Sequence, residues 1–317
     1  MYKFPFSEDN KRYHTLNFHN KSIYGTKAYK AVIEAGFTCP NIDGTKGRGG
    51  CIYCRSGSGY FTKRLSGSIY DSVYGQLCAE KKRIYEKHPD SKIVAYFQSN
   101  TNTYAPIQDL RQAYSAALDF GADGISIGTR ADCLGDEIIG LLCEINEKTR
   151  LTVELGLQTV HDRTARIINR CYDYGEFLQG YNRLKKAGIR TCLHIINGLP
   201  QESEEDMLVT AKTVGKLCPG GLKIHLLHIN RDTALEKLYN EGKYTPMEKE
   251  RYIDIVVKQL EYIPQETVIE RLTGDGDRRY LVAPLWSRDK ISVLGGIDKV
   301  QRERGSYQGK ALETNNA

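Results

Sequence analysis

The 317-residue sequence predicts an α/β protein built as an open or partial (β/α) barrel. Two observations predict this fold class. Short β-rich runs alternate with longer amphipathic segments along the middle of the chain, which is typical of βαβ units and a parallel sheet. The composition, 40% hydrophobic and 26% charged, provides enough apolar surface to bury an ordinary core.

Six runs are predicted as strands, and five of the segments between and after them as helices. The strands are residues 28–35, 93–97, 124–128, 151–157, 189–196 and 221–227. The helices are residues 69–87, 107–119, 135–148, 161–187 and 204–217, of which 161–187 is interrupted at Tyr174 and Gly175. Six strands with their helices are too many for a small domain and favour a barrel.

The chain divides into three parts. Residues 1–27 form an N-terminal extension, residues 28–245 the barrel core, and residues 246–317 a C-terminal extension with a basic tail. A helix is predicted over residues 246–262, because Pro246 suits the first turn of a helix.

Composition and patterning argue against a membrane protein. No run approaches the roughly 18 apolar residues that a membrane span needs, and the first residues lack the apolar segment of a secretory signal. We therefore expect a cytoplasmic protein with no membrane partner. Nine cysteines, an odd number, favour metal or cluster ligation for some of them over a disulfide framework.

Cys39, Cys51 and Cys54 form a C-x11-C-x2-C motif in a glycine-rich loop after the first predicted strand. Glycines allow a backbone to approach a cluster closely, and thiolates are the usual ligands of iron–sulfur clusters. Three thiolates on a four-iron cluster leave one iron open to a small molecule. A structural zinc site is the alternative, and because it needs four ligands, His14 or His19 would have to complete it.

This motif and three later stretches resemble the radical S-adenosylmethionine (SAM) superfamily. The stretches are ELGLQT with INRC (154–171), HIINGLPQE (194–202) and KIHLLHI (223–229). The chain is similar over nearly its whole length to smaller bacterial proteins of the branch that contains the elongator catalytic subunit and the oxygen-independent coproporphyrinogen oxidases. The resemblance implies a partial (β/α)6 TIM-like barrel with a [4Fe–4S] cluster and SAM at its mouth. We expect no acetyltransferase domain, because too few residues follow residue 265.

The resemblance also implies roles for single residues. Cys39, Cys51 and Cys54 correspond to the cluster ligands. Gln158 corresponds to a residue that hydrogen-bonds the SAM ribose, and Arg170 to the arginine that pairs with the SAM carboxylate, which a planar guanidinium can bind through two hydrogen bonds.

Further expected SAM contacts follow other strands. Glu154 is expected either to pair with Arg130 or to touch SAM, because an unpaired carboxylate inside a strand is costly. His194 is expected either to hydrogen-bond adenine or to be a core residue. The resemblance places the contacts of the SAM amino group after the second strand, at Gln98, Ser99, Asn100 and Thr101. Arg130 and Asp132 follow the third strand and are expected at the mouth of the barrel. His225 and His228 lie either side of the sixth strand's end, at least one as a packing residue, and the six other cysteines are interpreted as structural.

The reaction implied by the resemblance begins with an external electron donor such as flavodoxin or ferredoxin. The reduced cluster cleaves SAM to methionine and a 5′-deoxyadenosyl radical, which removes a hydrogen atom from an unactivated carbon of the substrate.

Three features favour tRNA as the partner and the C5 side chain of its wobble uridine as the target. The elongator branch points to that nucleotide. Residues 1–30 carry six Lys or Arg against two acidic residues, and residues 278–310 carry eight against three. The C-terminal stretch mixes basic and aromatic residues suited to phosphates and bases: Arg278, Arg279, Tyr280, Trp286, Arg288, Lys290 and Tyr307. The alternatives are a radical SAM enzyme acting on a small metabolite and a non-enzymatic zinc-binding RNA module; Tyr280 and Trp286 could equally pack the tail.

Overall fold

The computed structural model describes residues 4–55, 63–274 and 276–313. Its centre is a sheet of seven parallel strands in the order β1-β2-β3-β4-β5-β6-β8, curved into an open half-barrel. The strands are β1 (Ala28–Ile33), β2 (Lys92–Phe97), β3 (Gly124–Thr129), β4 (Arg150–Gln158), β5 (Arg190–Asn197), β6 (Gly221–Leu226) and β8 (Val268–Arg271). A separate antiparallel pair joins β7 (Ile229–Asn230) to β9 (Leu281–Ala283). The predicted α/β class and partial barrel are confirmed.

Helices connect successive strands and cover the convex side of the sheet. Strong caps define several of them: Asp173 and Glu176 form a capping box at the start of α6, which explains the interruption predicted at residue 174. The helices are α1 (Leu16–Tyr24), α2 (Ile69–Tyr85), α3 (Ile107–Asp119), α4 (Asp136–Lys148), α5 (Asp162–Ile167), α6 (Tyr174–Lys186), α7 (Glu204–Leu217), α8 (Ala234–Asn240), α9 (Lys249–Leu260), α10 (Lys290–Glu303) and α11 (Lys310–Glu313).

The two faces of the sheet differ in chemistry because side chains alternate along each strand. On β4, Leu151, Val153 and Leu155 are buried in the apolar core. Glu154, between them, points into the lumen of the half-barrel, where its carboxylate meets side chains from five other strands: Lys30, Tyr96, Ser126, His194 and Lys223. The core therefore lies between sheet and helices, and the lumen is polar.

Elements outside the predicted core complete the barrel. The seventh strand, β8, comes from the region expected to be a C-terminal extension, and it pairs with β6 with a register irregularity at Leu222/Lys223. The N-terminal extension reaches the same strand through a bridge between Thr15 and Ile269. Strand β8 has only four residues, so its sequence carries too short a pattern to be recognised.

No helix among the described residues is long and apolar enough to cross a membrane.

Candidate active site

A cavity of about 370 Å³ opens at the carboxyl ends of the strands, where βα folds place their active sites. Residues from all parts of the barrel line it, including most of those that the sequence singled out. These are Cys39, Cys51, Cys54, Gln98, Asn100, Thr101, Arg130, Glu154, Gln158, Arg170, His194, His225 and His228. The linear motifs therefore meet at one place.

The loop that carries the three cysteines is held by side-chain contacts to the turn after α5. The Asn41 amide donates to the backbone carbonyl of Asn169 and lies 3.7 Å from the Cys51 sulfur. The Asn169 amide in turn donates 2.8 Å to the Gly50 carbonyl. A Cβ at Gly47 would lie 2.1 Å from the Asn41 side chain and 2.6 Å from the Cys171 sulfur, so only glycine fits there. The loop is thus a fixed cradle.

The chemistry of this donor set fits an iron–sulfur cluster. A hydrogen bond from the Cys54 thiol and the positive charge of Arg130 outweigh burial and lower the pKa of Cys51 to about 7, while the same hydrogen bond and burial raise the pKa of Cys54. The Cys51 thiol is therefore the one of this pair that readily forms the thiolate that metal ligation requires. All nine cysteines are free. Within the described ranges, no three Cys, His, Asp or Glu side chains converge closely enough for a single metal ion.

The zinc alternative is wrong in its choice of histidines. The His14 Nδ1 lies 3.1 Å from the Gln265 carbonyl, and the His14 carbonyl accepts from Ile269 at the start of β8. His19 is on α1, which covers the amino ends of the strands. A strand of six residues, at about 3.3 Å each, separates these rings from the cysteines by roughly 20 Å.

Gln158 and Arg170 are both fixed at the end of β4. A register shift between β4 and β5 falls at Gly156 and Gln158, and the Gln158 amide nitrogen folds back to donate to the carbonyls of Gly156 (3.0 Å) and Leu157 (3.1 Å). Arg170 is only 1% exposed; its guanidinium donates to the carbonyls of Leu157, Thr159 and Tyr172. Its Nη2 has no hydrogen-bond partner and lies 4.0 Å from the Asp162 carboxylate.

Arg130 pairs with Asp132, not with Glu154, so that expected pairing is wrong. Its Nε and Nη2 donate to the two Asp132 carboxylate oxygens at 2.9 and 2.8 Å, and Lys46 approaches the same carboxylate at 2.9 Å. Burial would raise the pKa of Asp132, but Arg130 and Lys46 hold it below its ordinary value. The guanidinium also lies over the Tyr172 ring, 4.7 Å from its centre.

Glu154 is instead the centre of a buried hydrogen-bonded network. Its Oε1 accepts from Lys30 (2.5 Å) and Ser126 (2.7 Å), and its Oε2 accepts from Tyr96 (2.8 Å), His194 (2.8 Å) and Lys223. Burial would raise the pKa of Glu154, but the ammonium groups of Lys223 and Lys30 hold it well below its ordinary value. The carboxylate is therefore charged and fully paired.

The network continues down the lumen as a chain of ion pairs. The Lys30 Nζ also lies 3.0 Å from Glu270 Oε2, and Arg190 Nη1 lies 3.0 Å from Glu270 Oε1. Lys30, Lys223 and Glu270 escaped the sequence analysis. A signal existed for Lys30 and Lys223, because each is a charged residue inside a predicted strand; Glu270 had none, because β8 is not recognisable in the sequence.

Gln98, Asn100 and Thr101 form the wall after β2. Asn100 has a positive φ of 57°, and its amide donates 2.8 Å to the Phe37 carbonyl. Ser99, predicted with them, is buried with its hydroxyl unpartnered and is not among the residues that line the cavity.

Three histidines, on β5, on β6 and just after β6, line the cavity. His194 Nε2 contacts Glu154, and its ring centre lies 5.3 Å from that of His225. Burial and the nearby Lys223 lower the pKa of His194, burial and the His194 ring lower that of His225 well below the ordinary value, and burial lowers that of His228 to about 4. All three are therefore neutral at pH 7.

A second cavity, of about 710 Å³, lies at the amino ends of the strands under α1. It is larger than the first, but no cysteine of the motif reaches it. Its charged residues, such as Arg190 and Glu270, pair with each other. Its size does not make it the active site.

The comparisons with known proteins agree with this geometry. Residues 42–214 match the family model described as the Radical SAM superfamily, and residues 219–302 match the Radical_SAM C-terminal domain. An uncharacterized Bacillus subtilis (strain 168) protein, YtqA, is 47% identical over 312 residues, covering 98% of this chain and 96% of its own.

More distant similarities are shorter. The tRNA uridine(34) acetyltransferase of Dehalococcoides mccartyi is 27% identical over 184 residues, or 57% of this chain and 39% of that protein. Among solved structures, the archaeal Methanocaldococcus infernus Elp3 with an N-terminal deletion is similar with a TM-score of 0.67 and 16% identity, covering 89% of this chain and 64% of that one. At that identity the structural likeness shows the fold alone.

The family model covers more than half of the chain, and the similarity to the Bacillus protein extends over nearly all of it. The chain therefore belongs to the radical SAM superfamily and is a radical SAM enzyme.

Proposed function

We propose that this enzyme acts on tRNA and that its target is the C5 side chain of the wobble uridine. The observation that carries the proposal is the similarity of more than half of the chain to a tRNA uridine(34) acetyltransferase. Two features of the cavity support it: an excess of positive charge along its walls and an arginine–tyrosine pair at its rim.

The charge excess favours an anionic substrate. Among the described residues that line the cavity, five are Arg or Lys (Arg55, Arg130, Arg170, Lys223 and Arg271), and Glu154 is the one acidic residue. Part of this excess is offset, because Glu154 pairs with Lys223 and Asp132 with Arg130. Low-dielectric walls of one sign concentrate the field and attract an oppositely charged ligand, here a phosphate backbone.

The rim pair supports a nucleic acid over other anions. The Arg55 guanidinium carbon lies 3.4 Å from the centre of the Tyr280 ring, and Arg279 lies 5.5 Å from the same ring. Stacked arginine and tyrosine bind the faces of unpaired bases. Trp286, by contrast, packs in the structure: its Nε1 donates to the Met247 carbonyl and its ring lies near Tyr252.

Membership of the family implies a [4Fe–4S] cluster and SAM, which when bound supply a carbon radical able to abstract hydrogen from an unactivated carbon. Cys39, Cys51 and Cys54 would hold the cluster. Gln158, Arg170, Gln98 and Asn100 are the proposed SAM contacts, and the orphaned Nη2 of Arg170 fits a carboxylate.

The hydrogen-bonded network around Glu154 forms the bottom of the cavity, beneath the proposed SAM contacts, and holds it in place. The Nε2 of His194 already donates to the Glu154 carboxylate and could reach adenine only if that hydrogen bond broke. We therefore propose that His194 is a positioning residue and does not contact SAM directly. Glu154 likewise has five donors around it and supports the bottom of the cavity without touching SAM.

The test uses anaerobically purified protein reconstituted with iron and sulfide, then supplied with dithionite and SAM. Formation of 5′-deoxyadenosine is measured without RNA, with tRNA from a strain lacking the gene, and with the same tRNA cleaved to nucleosides. The proposal predicts stimulation by intact tRNA alone and a changed uridine derivative in its digest.

Stimulation by a metabolite extract and not by tRNA would favour a small-molecule substrate and contradict the proposal. An RNA affinity that does not fall with added salt would contradict it as well, because phosphate contacts release counterions.

A further inference from the structure

The half of the cavity formed by β6, β7 and the residues just after β6 leaves three buried polar atoms without partners. They are the Nε2 atoms of His225 and His228 and the Oδ1 of Asn230. All three residues line the cavity. Buried polar atoms are rarely left unpaired, because their desolvation costs free energy that only a hydrogen bond offsets. Three such atoms around one cavity call for a ligand with a polar edge.

We propose that His225, His228 and Asn230 form a recognition site for the uracil ring of the target nucleotide; this rests on the proposed function and names the residues that select its base. A uracil edge presents the O4 and O2 acceptors on either side of the N3–H donor. A neutral imidazole can donate through Nε2 to a carbonyl oxygen. The Asn230 Oδ1 can accept from N3–H.

The histidines are suited to this role because they are neutral and held in place. Burial lowers the pKa of both rings, His228 to about 4. A Cβ at Gly274 would lie 2.8 Å from the Cε1 of His228, so the ring rests against a backbone that only glycine allows. Preorganised donors of this kind cost little ordering entropy on binding.

The same side of the cavity carries charge for the rest of the nucleotide. Arg271 pairs in register with Lys223 across β6 and β8 and lines the cavity. Arg55 stands at the rim beside Tyr280. Phosphate contacts would position the strand, while the three polar atoms would read the base.

The test measures the affinity of the reconstituted full-length protein for a tRNA anticodon stem-loop in three forms. Position 34 carries uridine, cytidine or N3-methyluridine, the last lacking the N3–H. We expect wild type to bind the uridine form at least about tenfold more tightly than the other two, because a site built for a polar edge rejects an analogue that cannot pair.

Substitutions then assign that preference to residues. His225→Phe and His228→Phe remove Nε2 and keep an aromatic ring. The variant that loses the donor to O4 should reduce the preference for uridine over cytidine by about tenfold, the size expected for one lost hydrogen bond, and the variant that loses the donor to O2 should weaken binding of all three forms alike. His225→Gln retains a hydrogen-bonding group and should restore part of what His225→Phe loses. His88→Phe is the matched control, because His88 stacks on Tyr29 outside the cavity and Phe preserves that stack.

The outcomes are distinguishable. Stem-loop binding without a preference for uridine, or a preference that both Phe variants retain, overturns the recognition site and leaves the proposed function intact. Absence of binding to every stem-loop overturns both. If the Phe variants lose affinity for SAM in equilibrium dialysis while the uridine preference remains, the histidines serve the cofactor and the inference is wrong.

Discussion

The two cavities at the ends of the barrel differ in how their polar groups are satisfied. At the amino ends of the strands, the cavity is about 710 Å³, yet none of the described residues that line it has a buried side-chain atom without a partner. At the carboxyl ends, the cavity is about 370 Å³, and five lining residues each have one: Arg55, Arg170, His225, His228 and Asn230.

This difference separates a structural space from a functional one better than volume does. Polar groups that pair among themselves stabilise a fold, and atoms that line a cavity without a hydrogen-bond partner are available to a ligand. The ion-pair chain from Arg190 through Glu270 and Lys30 to Glu154 joins the two ends and belongs to the first kind. The experiments below test this separation from its largest expected effect to its smallest.

The largest effect should come from the cysteines at the carboxyl end. Cys54→Ala removes one of the three proposed cluster ligands, and we expect 5′-deoxyadenosine formation to fall by more than about 100-fold. Loss of a residue that only supports a metal ligand already costs about 10- to 100-fold in activity or metal affinity. Iron content and activity are measured together. Cys78→Ala, on the exposed face of α2, is the matched control. Equal loss in both variants would show that the thiols act through stability and not through a cluster.

A large loss of stability should follow from breaking the network that joins the two ends. Glu154→Ala leaves the ammonium groups of Lys30 and Lys223 buried without their shared partner, and such a change costs about 3–5 kcal/mol. Urea unfolding followed by circular dichroism measures it. Glu144→Ala, which breaks an exposed pair with Arg111, should cost less than about 1 kcal/mol. Similar values for the two variants would mean that Glu154 is not a structural centre.

The sequence was sufficient to predict the barrel and the motifs that meet at its mouth, but not which polar side chains pair with each other inside the lumen. Strand–helix alternation and the spacing of Cys39, Cys51 and Cys54 were strong local signals, and both the barrel and the meeting of the motifs at its mouth followed from them. The pairing of Glu154 did not follow, because which charged residues share a lumen depends on strand register. Pairing with Arg130 is one of the two roles expected of Glu154, but Asp132, two residues from Arg130 in the chain, pairs with that arginine instead.

Other misses have the same cause. Lys30, Lys223 and Glu270 lie on three different strands. Glu154 brings the two lysines together, and Glu270 joins Lys30 only where β8 pairs with β6. Strand β8 has only four residues, too few for an alternation of side chains to be recognised in the sequence. The stacking of Arg55 on Tyr280 joins residues 225 positions apart in the numbering. No local pattern carries such a contact.

An intermediate effect, on pH dependence, should mark the amino end as structural. Burial would raise the pKa of Glu270, but Lys30 and Arg190 lower it from 4.5 to about 2. A lowered pKa contributes stability that is present above pH 4.5 and is lost as the pH falls toward 2, in total about 3 kcal/mol. Unfolding free energies of wild type and Glu270→Gln should therefore converge across that window. A difference in unfolding free energy that stays constant from pH 5 to 2.5 would contradict the structural role of Glu270. The affinity for SAM should be equal in wild type and Glu270→Gln at pH 7.

The smallest effect compares two arginine–tyrosine contacts, one at each end. Arg55 lies over Tyr280 at the mouth, and Arg150 lies over Tyr24 by the other cavity, 6.0 Å from the ring centre. Replacing either arginine by alanine should change stability by at most about 1 kcal/mol, the size of an exposed cation–π contact. If RNA binds at the mouth, Arg55→Ala alone should reduce the slope of log affinity against log salt by about 1. Filter binding of tRNA at several salt concentrations measures the slope. An equal reduction by Arg150→Ala would show that RNA does not distinguish the mouth of the barrel from its amino end.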